Sequence, residues 1–505
     1  MNTGRVLCKV VLFPMLLLPI ALHAESCDGL SQLTSSTVSI TLTKVLGAGS
    51  FTPAGTTNTF QNLPAFCRVA VELRPTQDSD IRIEVWLPTA SWNGKYIAVG
   101  SGGWGGSLSY GDMAEALRRG YATSATDDGH SGPSASFVVG HPEKLIDFAY
   151  RAEHEMAVEA KALIHAFYGR DPRYSLWDGC SGGGREGLLQ ASRYPEEFDG
   201  IIAGDPADIR RNSWALELAA QTIKDPEANI PPTKYPMIHQ AVLDACDAKD
   251  GLKDGLIEAP ESCHVDFKRL QCKAADSPDC LTARQVQTAQ MITSPVATKT
   301  GKVLFPRVEP GTELRWSRIA GGPQPADLFL DEFRYVVYQD PSWDWRSFDL
   351  ERDSAKAHAI DKDVDELSPD LTAFAKHGGK LLLYHGWADQ QVAPGFSVDF
   401  YKAVLDASGG PEQTSNWVRL FMAPGMAHCS GGEGPDTFDK ISAMEQWVEQ
   451  GMAPAQIVAA HQTGGKIDRT RPLCPYPQIA HYNGTGNIDA SSNFSCRLID
   501  SSEKR

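Results

Sequence analysis

Positive charge is scarce in this chain of 505 residues: 47 Lys and Arg stand against 63 Asp and Glu, a formal net charge of −16. Nucleic acid is therefore a poor partner, because phosphate binding needs clustered cations. Long apolar runs are also missing. Beyond the first 24 residues nothing approaches the roughly 18 consecutive apolar residues that a membrane helix requires, so no membrane association is expected. Tandem repeats and low-complexity segments are absent as well, which removes solenoid and fibrous architectures. No lipobox precedes Cys27, and that argues against a lipid anchor. What is left is the composition of a soluble globular protein, with 42% hydrophobic residues and a mean hydropathy of −0.28. The length exceeds one ordinary core, so two domains or a core with a large insertion are expected.

The first 24 residues differ from the rest. Arg5 and Lys9 precede an apolar run from Val10 to Leu22, interrupted by Pro14 and Pro19, and Leu22-His23-Ala24 offers a small residue for cleavage. This is the pattern of a secretory signal, and its removal would take the formal charge to about −18. Of the 11 cysteines, Cys8 would leave with the signal. The remaining even number in an exported chain implies disulfides, in a secreted or periplasmic protein. Counting cysteines does not fix their connectivity.

Strand and helix patterns alternate through the first part of the chain. Val38 to Leu42 alternates as a strand, and Val69 to Leu87 reads as two strands around a polar turn at Thr76 to Asp80. Tyr96 to Val99, Tyr121 to Asp127 and Phe198 to Gly204 read as further strands, with helices at Ala114 to Gly120 and Phe148 to Phe167. Alternation of this kind favours an α/β fold built on a parallel sheet. From about Asp208 to Asp370 the rhythm breaks into a Trp-, Pro- and Asp-rich stretch, read as an inserted lid domain. Strand character resumes at Lys380 to His385 and at Trp417 to Met422. Helical Ile441 to Gln450 is expected to close the core, leaving a tail that carries Cys474 and Cys496. The expected organisation is a signal at 1–24, a core at 25–207 and 371–505, and a lid at 208–370.

The stretch around Gly179-Cys180-Ser181-Gly182-Gly183 carries the chemistry. An apolar strand runs into a sharp glycine turn and then into a helical face at Leu188, Leu189 and Ala191. A serine at such a turn stands exposed on strained backbone, with the N–H groups of a helix start beside it. A serine hydroxyl is a weak nucleophile until a base takes its proton and a carboxylate orients that base. Ser181, Asp389 and His428 come in the chain order of an α/β-hydrolase triad, each after an apolar run. Gly100 to Gly106 is a glycine loop of the kind that supplies half an oxyanion hole, so the N–H groups of Gly182 and of Gly103 or its neighbour Gly102 are expected to hold the oxyanion. Cys180 precedes the serine and Cys429 follows the histidine, close enough to bridge if the triad assembles.

This Cys-Ser, Asp, His-Cys arrangement resembles the tannase and feruloyl esterase family, whose members include the mono(2-hydroxyethyl) terephthalate hydrolases. The likeness runs from the Gly100 loop to Arg471-Pro472-Leu473-Cys474-Pro475-Tyr476-Pro477. It implies an α/β-hydrolase fold with a lid and a serine esterase acting on small aromatic esters. Feruloyl esters come first, galloyl and terephthaloyl esters next. It also implies the pairings Cys27 with Cys67, Cys180 with Cys429, Cys246 with Cys263, Cys272 with Cys280, and Cys474 with Cys496.

A second cluster, Cys246 to Ile257, sets Asp247, Asp250 and Asp254 among turn glycines. These offer hard oxygen ligands for Ca²⁺, although the bidentate glutamate of an EF-hand is missing; an acidic surface loop is the competing reading. The resemblance implies a structural Ca²⁺ on the carboxylates of Asp247, Asp250 and Asp254 and the carbonyls of Leu252 and Leu256. No organic cofactor is expected.

In the lid, Trp316, Phe333, Tyr335, Trp343 and Trp345 could stack on a substrate ring, the core being the competing place for each. Arg334 could pair with a substrate carboxylate or simply face solvent. Asn483 and Asn493 match the glycosylation sequon. The readings from other classes are a catalytically inactive hydrolase-fold binding protein, a peptidase and a lipase.

Overall fold

The computed structural model describes Met1 and residues 26–320, 323–365 and 367–498. The expected signal segment therefore lies, apart from Met1, outside the described residues.

The strand patterns assemble into one nine-stranded sheet. Its strands are β1 (Val38–Leu46), β2 (Phe66–Leu73), β3 (Ile81–Pro88), β4 (Lys95–Val99), β5 (Ala122–Thr126), β6 (Tyr174–Cys180), β7 (Gly200–Gly204), β8 (Lys380–Gly386) and β9 (Val418–Ala423). From edge to edge the order is β1-β2-β3-β5-β4-β6-β7-β8-β9. The pairs from β1 to β5 are antiparallel, and those from β5 through β9 are parallel. The parallel strands read as continuous apolar runs because both faces of the sheet are covered. Trp177, Ile201, Leu381 and Leu383 pack on one side, and Leu176, Ile202, Leu382 and Tyr384 on the other.

Between β7 and β8 the chain leaves the sheet. It forms mostly helices, among them Arg210–Thr222, Tyr235–Cys246, Ala283–Ile292 and Leu350–Asp365. These bury two apolar clusters of their own. One of them, around Trp214, Ile238, Phe305 and Trp316, also takes in Val392, Ala393 and Phe396 from the segment after β8. The excursion thus packs on the segment that follows β8. Polar contacts also fix it: Trp104 Nε1 donates to the Leu328 carbonyl at 2.9 Å, Ser134 Oγ to Asp331 Oδ2 at 2.7 Å, and Arg315 makes a two-pronged pair with Glu433 at 2.8 and 3.0 Å.

The core does not close at the Lys440–Gln450 helix. The tail adds strands Ile457–Thr463 and Lys466–Leu473 and a hairpin of Gln478–Tyr482 with Phe494–Leu498. Five disulfides join Cys27–Cys67, Cys180–Cys429, Cys246–Cys263, Cys272–Cys280 and Cys474–Cys496, the pairs that the resemblance implies. Among the described residues no helix is long and apolar enough to cross a membrane.

Candidate active site

Three strand ends meet at the site. β6 ends at Cys180, and Ser181 follows with φ +60° and ψ −118°, a conformation that L residues adopt only where their surroundings enforce it. Here the enforcement is close backbone packing. A Cβ on Gly179 would lie 2.4 Å from the Gly183 carbonyl oxygen, and one on Gly183 would lie 3.0 Å from Gly100 Cα. Strand, helix and the Gly100 loop therefore touch main chain to main chain. The Gly183 N–H donates to the Ser101 carbonyl at 2.8 Å, and the Ser181 N–H to the Gly204 carbonyl at 2.9 Å. The helix Gly182–Arg193 begins at the serine; the Gly183 N–H is committed to Ser101, which leaves that of Gly182 as a first-turn N–H without an intrahelical acceptor.

The glycine loop is held from below. Glu186, fully buried on the elbow helix, accepts from Ser101 N–H at 3.0 Å and from Ser101 Oγ at 2.6 Å. The place a Cβ would take on Gly182 lies 3.5 Å from Gly103 N, and that on Gly103 lies 3.5 Å from Leu328 Cδ1 of the lid. The turn at Ser181, the Gly100–Gly106 loop and Leu328 therefore converge at Gly182 and Gly103.

β8 leads to Asp389, which is fully buried. Its Oδ1 accepts the N–H groups of Gln391 at 2.7 Å and Val392 at 3.0 Å, and its Oδ2 accepts His428 Nδ1 at 2.6 Å. Burial would raise this carboxyl, but the charges and hydrogen bonds of His428 and His385 outweigh it and hold the group well below the ordinary carboxylate range. β9 leads to His428 and to Cys429 at φ +62°. The Cys180–Cys429 disulfide, with 6.0 Å between Cα atoms, staples the residue before the serine to the residue after the histidine. Among the described residues no hydrogen bond joins Ser181 to His428 directly; such contacts commonly tighten only with substrate bound.

Breaking that staple has a defined cost. The bridge closes a separation of 249 residues, so C180A/C429A is expected to lose about 2–5 kcal/mol of stability, read from the denaturant midpoint. Activity should fall with it. An unchanged midpoint together with unchanged activity would contradict a role in holding the site.

Four of the five aromatics named in the 208–370 segment are core. Trp316 and Phe333 are fully buried, Trp345 and Trp343 nearly so, and Tyr335 packs partly buried near Trp104 and Phe148. Trp316, Phe333, Trp343 and Trp345 fill apolar clusters of the 208–370 segment, whereas Tyr335 packs on the cluster that contains Trp104 of the glycine loop. Arg334 lies 3.8 Å from Asp327 rather than free at the surface. Leu328 of the 208–370 segment reaches the glycine loop at Gly103, and no sequence pattern marks it.

The acidic loop is tightly wound. Asp247 accepts the N–H groups of Asp254 at 3.1 Å and Gly255 at 3.0 Å, Asp250 accepts Leu252 N–H at 2.9 Å, and Asp254 meets Arg471 of the tail. Burial, with the charges of Asp254 and Asp247 adding to it, pushes Asp250 up to about 7, and burial pushes neighbouring Glu258 up to about 8. Asp247, Asp250 and Asp254 bring carboxylate oxygens, the donor type a hard divalent cation takes, into one loop of tight turns. The loop is not remote from the site: a Cβ on Gly425, three residues before His428, would lie 2.8 Å from Leu256 Cδ2.

A strained serine at a strand-to-helix turn, beside a glycine loop and a buried Asp–His pair on a largely parallel sheet, defines the class: this is an α/β hydrolase. Comparison with known proteins narrows the class. The family model described as tannase and feruloyl esterase matches residues 67–497, and the chain belongs to that family of carboxylic ester hydrolases. It is 37% identical to an uncharacterized esterase of Xanthomonas campestris, over 98% of this chain and 95% of the other. It is 35% identical to the probable feruloyl esterase B-2 of Neosartorya fischeri, over 85% and 86%. The crystal structure of feruloyl esterase B from Aspergillus oryzae superposes with a TM-score of 0.89 at 32% identity, covering 93% of this chain and 99% of that one.

Proposed function

We propose that this chain is a secreted or periplasmic serine esterase that hydrolyses small aromatic carboxylic esters, feruloyl (hydroxycinnamoyl) esters first. The observation that carries the mechanism is the 2.6 Å bond from His428 Nδ1 to Asp389 Oδ2, with His428 tied to the Ser181 elbow through Cys180–Cys429. With Nδ1–H committed to Asp389, the His428 Nε2 lone pair is free to take the Ser181 proton. Ser181 Oγ attacks the ester carbonyl, and the N–H groups of Gly182 and Gly103 donate to the developing oxyanion. His428 then protonates the leaving alcohol, and water, activated by the same imidazole, releases the acid. Asp389 stays ionised throughout and stabilises the imidazolium. The base would span 25–207 and 371–505, with the lid at 208–370 over the acyl side.

The ester class rests on the feruloyl esterase relatives. Galloyl and mono(2-hydroxyethyl) terephthalate esters are the next substrates in line. A panel of methyl ferulate, methyl gallate, the terephthalate monoester, a triglyceride and a peptide separates these readings: kcat/KM is expected to be highest for methyl ferulate, and activity confined to triglyceride or peptide would sink the proposal. Covalent labelling of Ser181 by a serine-directed phosphonate is expected, and failure to label would favour an inactive binding protein.

A structural Ca²⁺ on Asp247, Asp250 and Asp254 and the carbonyls of Leu252 and Leu256 belongs to the same reading. When bound it would neutralise the loop and brace the segment before His428. Thorough chelation is expected to lower the melting temperature by several degrees and readdition of Ca²⁺ to restore it. An unchanged melting temperature would remove the ion from the account.

A further inference from the structure

Behind the Asp389–His428 pair stand a second carboxylate and a second imidazole, Asp205 and His385, that the mechanism above does not use. Asp389 Oδ2 is shared: besides His428 Nδ1 it meets His385 Nε2 at 3.2 Å. The same Nε2 lies 3.1 Å from the Val392 carbonyl and 3.3 Å from Asp205 Oδ1. All three partners are acceptors, so Nε2 carries a proton. Nδ1 sits 2.7 Å from Ser397 Oγ, a hydroxyl that can accept as well as donate.

Asp205 is bound in turn by two backbone donors, with the disulfide sulfur of Cys180 3.3 Å from its Oδ2. Its Oδ1 accepts the Gly386 N–H at 2.9 Å, and its Oδ2 accepts the Cys429 N–H at 3.2 Å. Burial raises the Asp205 carboxyl, and the charge of His385 and the Gly386 N–H act against that burial to favour the carboxylate. Asp205 itself sits at φ +37°, one of three strained non-glycine residues at the site with Ser181 and Cys429. It thereby joins the end of β7 to the loop that carries Asp389 and to the residue after His428. Asp205, His385 and Asp389 are all fully buried. Two carboxylates within reach of one imidazole, away from water, leave buried charge uncompensated unless that imidazole is a cation.

We propose that His385 is a positioning residue held as an imidazolium by Asp205, and that by sharing Asp389 with His428 it lowers the basicity of His428 and so sets the pH at which the base works. The charged and titratable groups around it are Asp205 from the end of β7, Asp389 from the following loop and His428 across Asp389; Ser397 and the Val392 carbonyl complete the contacts. Burial would strip the proton from His385, but the charge of Asp205 and the bond to Asp389 outweigh burial and raise its proton affinity above that of an ordinary histidine. This inference rests on the triad reading of Ser181, Asp389 and His428.

The sign of the effect follows. Removing the His385 charge leaves the whole of Asp389 to His428, which then holds its proton more tightly. His385→Gln is expected to move the acid limb of the kcat/KM profile up by about one pH unit, to lower kcat about tenfold or more through lost alignment, and to change KM little. A fall in activity with the limb unmoved would mean a merely structural residue and would overturn the proposal. Should that variant not fold, wild-type protein labelled with ¹⁵N-histidine decides. At about pH 9, well above the ordinary histidine value of about 6.5, one imidazolium is expected to persist, and a spectrum in which every histidine is neutral would overturn it. Full activity in Ser181→Ala would sink the triad reading instead, a result independent of the NMR measurement.

Discussion

Ser181→Ala is expected to lower kcat on methyl ferulate by on the order of 10⁶-fold while leaving the melting temperature unchanged. The fold should not notice the change. The strained backbone at Ser181 is enforced by Gly179, Gly183 and the Gly100 loop rather than by the hydroxyl, and alanine carries the same Cβ. Only the nucleophile is lost. Residual turnover of about 10³-fold over water would be the share of the oxyanion loop and of binding, with water attacking in place of Oγ. The measurement is steady-state kinetics on purified variant beside a thermal melt. Retention of full activity by a correctly folded variant would remove Ser181 from the chemistry.

Asp389→Asn is the second large effect, expected at about 10⁴-fold in kcat with KM nearly unchanged. The local hydrogen bonds determine how the asparagine sits. Oδ1 of the wild-type residue is occupied by the N–H groups of Gln391 and Val392, and only an oxygen can remain there. The amide NH₂ is then forced toward His428 Nδ1. A donor at that point drives the imidazole into the tautomer with hydrogen on Nε2, the nitrogen that must accept the Ser181 proton. The variant keeps its shape and loses its base. A loss of less than about tenfold would show that Asp389 does not set the tautomer.

The two variants also separate what neighbouring residues encode from what the folded chain assembles. The elbow was legible because its geometry is local: strand, glycine, serine and helix lie within a dozen residues, and φ/ψ limits act on each in turn. The strands were legible for the same reason, their side-chain period being readable along the chain. Asp389 and His428 could be proposed because each ends an apolar run in the expected order. Asp205 and His385 could not, although Asp205-Pro206 follows a strand and His385 ends one. Their meaning comes from contacts between positions 205, 385, 389 and 429 that no local pattern describes. Trp316, Phe333, Trp343 and Trp345 could be read either way from composition, and packing places them in buried apolar clusters of the 208–370 segment.

By itself, then, the sequence determined the sheet-forming segments and the strand, sharp turn and helix around Ser181, and it put forward Ser181, Asp389 and His428 and the ten cysteines beyond Cys8 as the residues to follow. Those segments depend on steric and hydrophobic preferences acting over a few residues. Only the tertiary structure decided that Leu328 meets the glycine loop, that Leu256 of the acidic loop packs beside Gly425, that the tail reaches Asp254 through Arg471, and that a second histidine shares Asp389. Those arrangements depend on how distant segments stack when the sheet and lid bury their apolar faces together, a property of the whole packed chain rather than of any stretch of it.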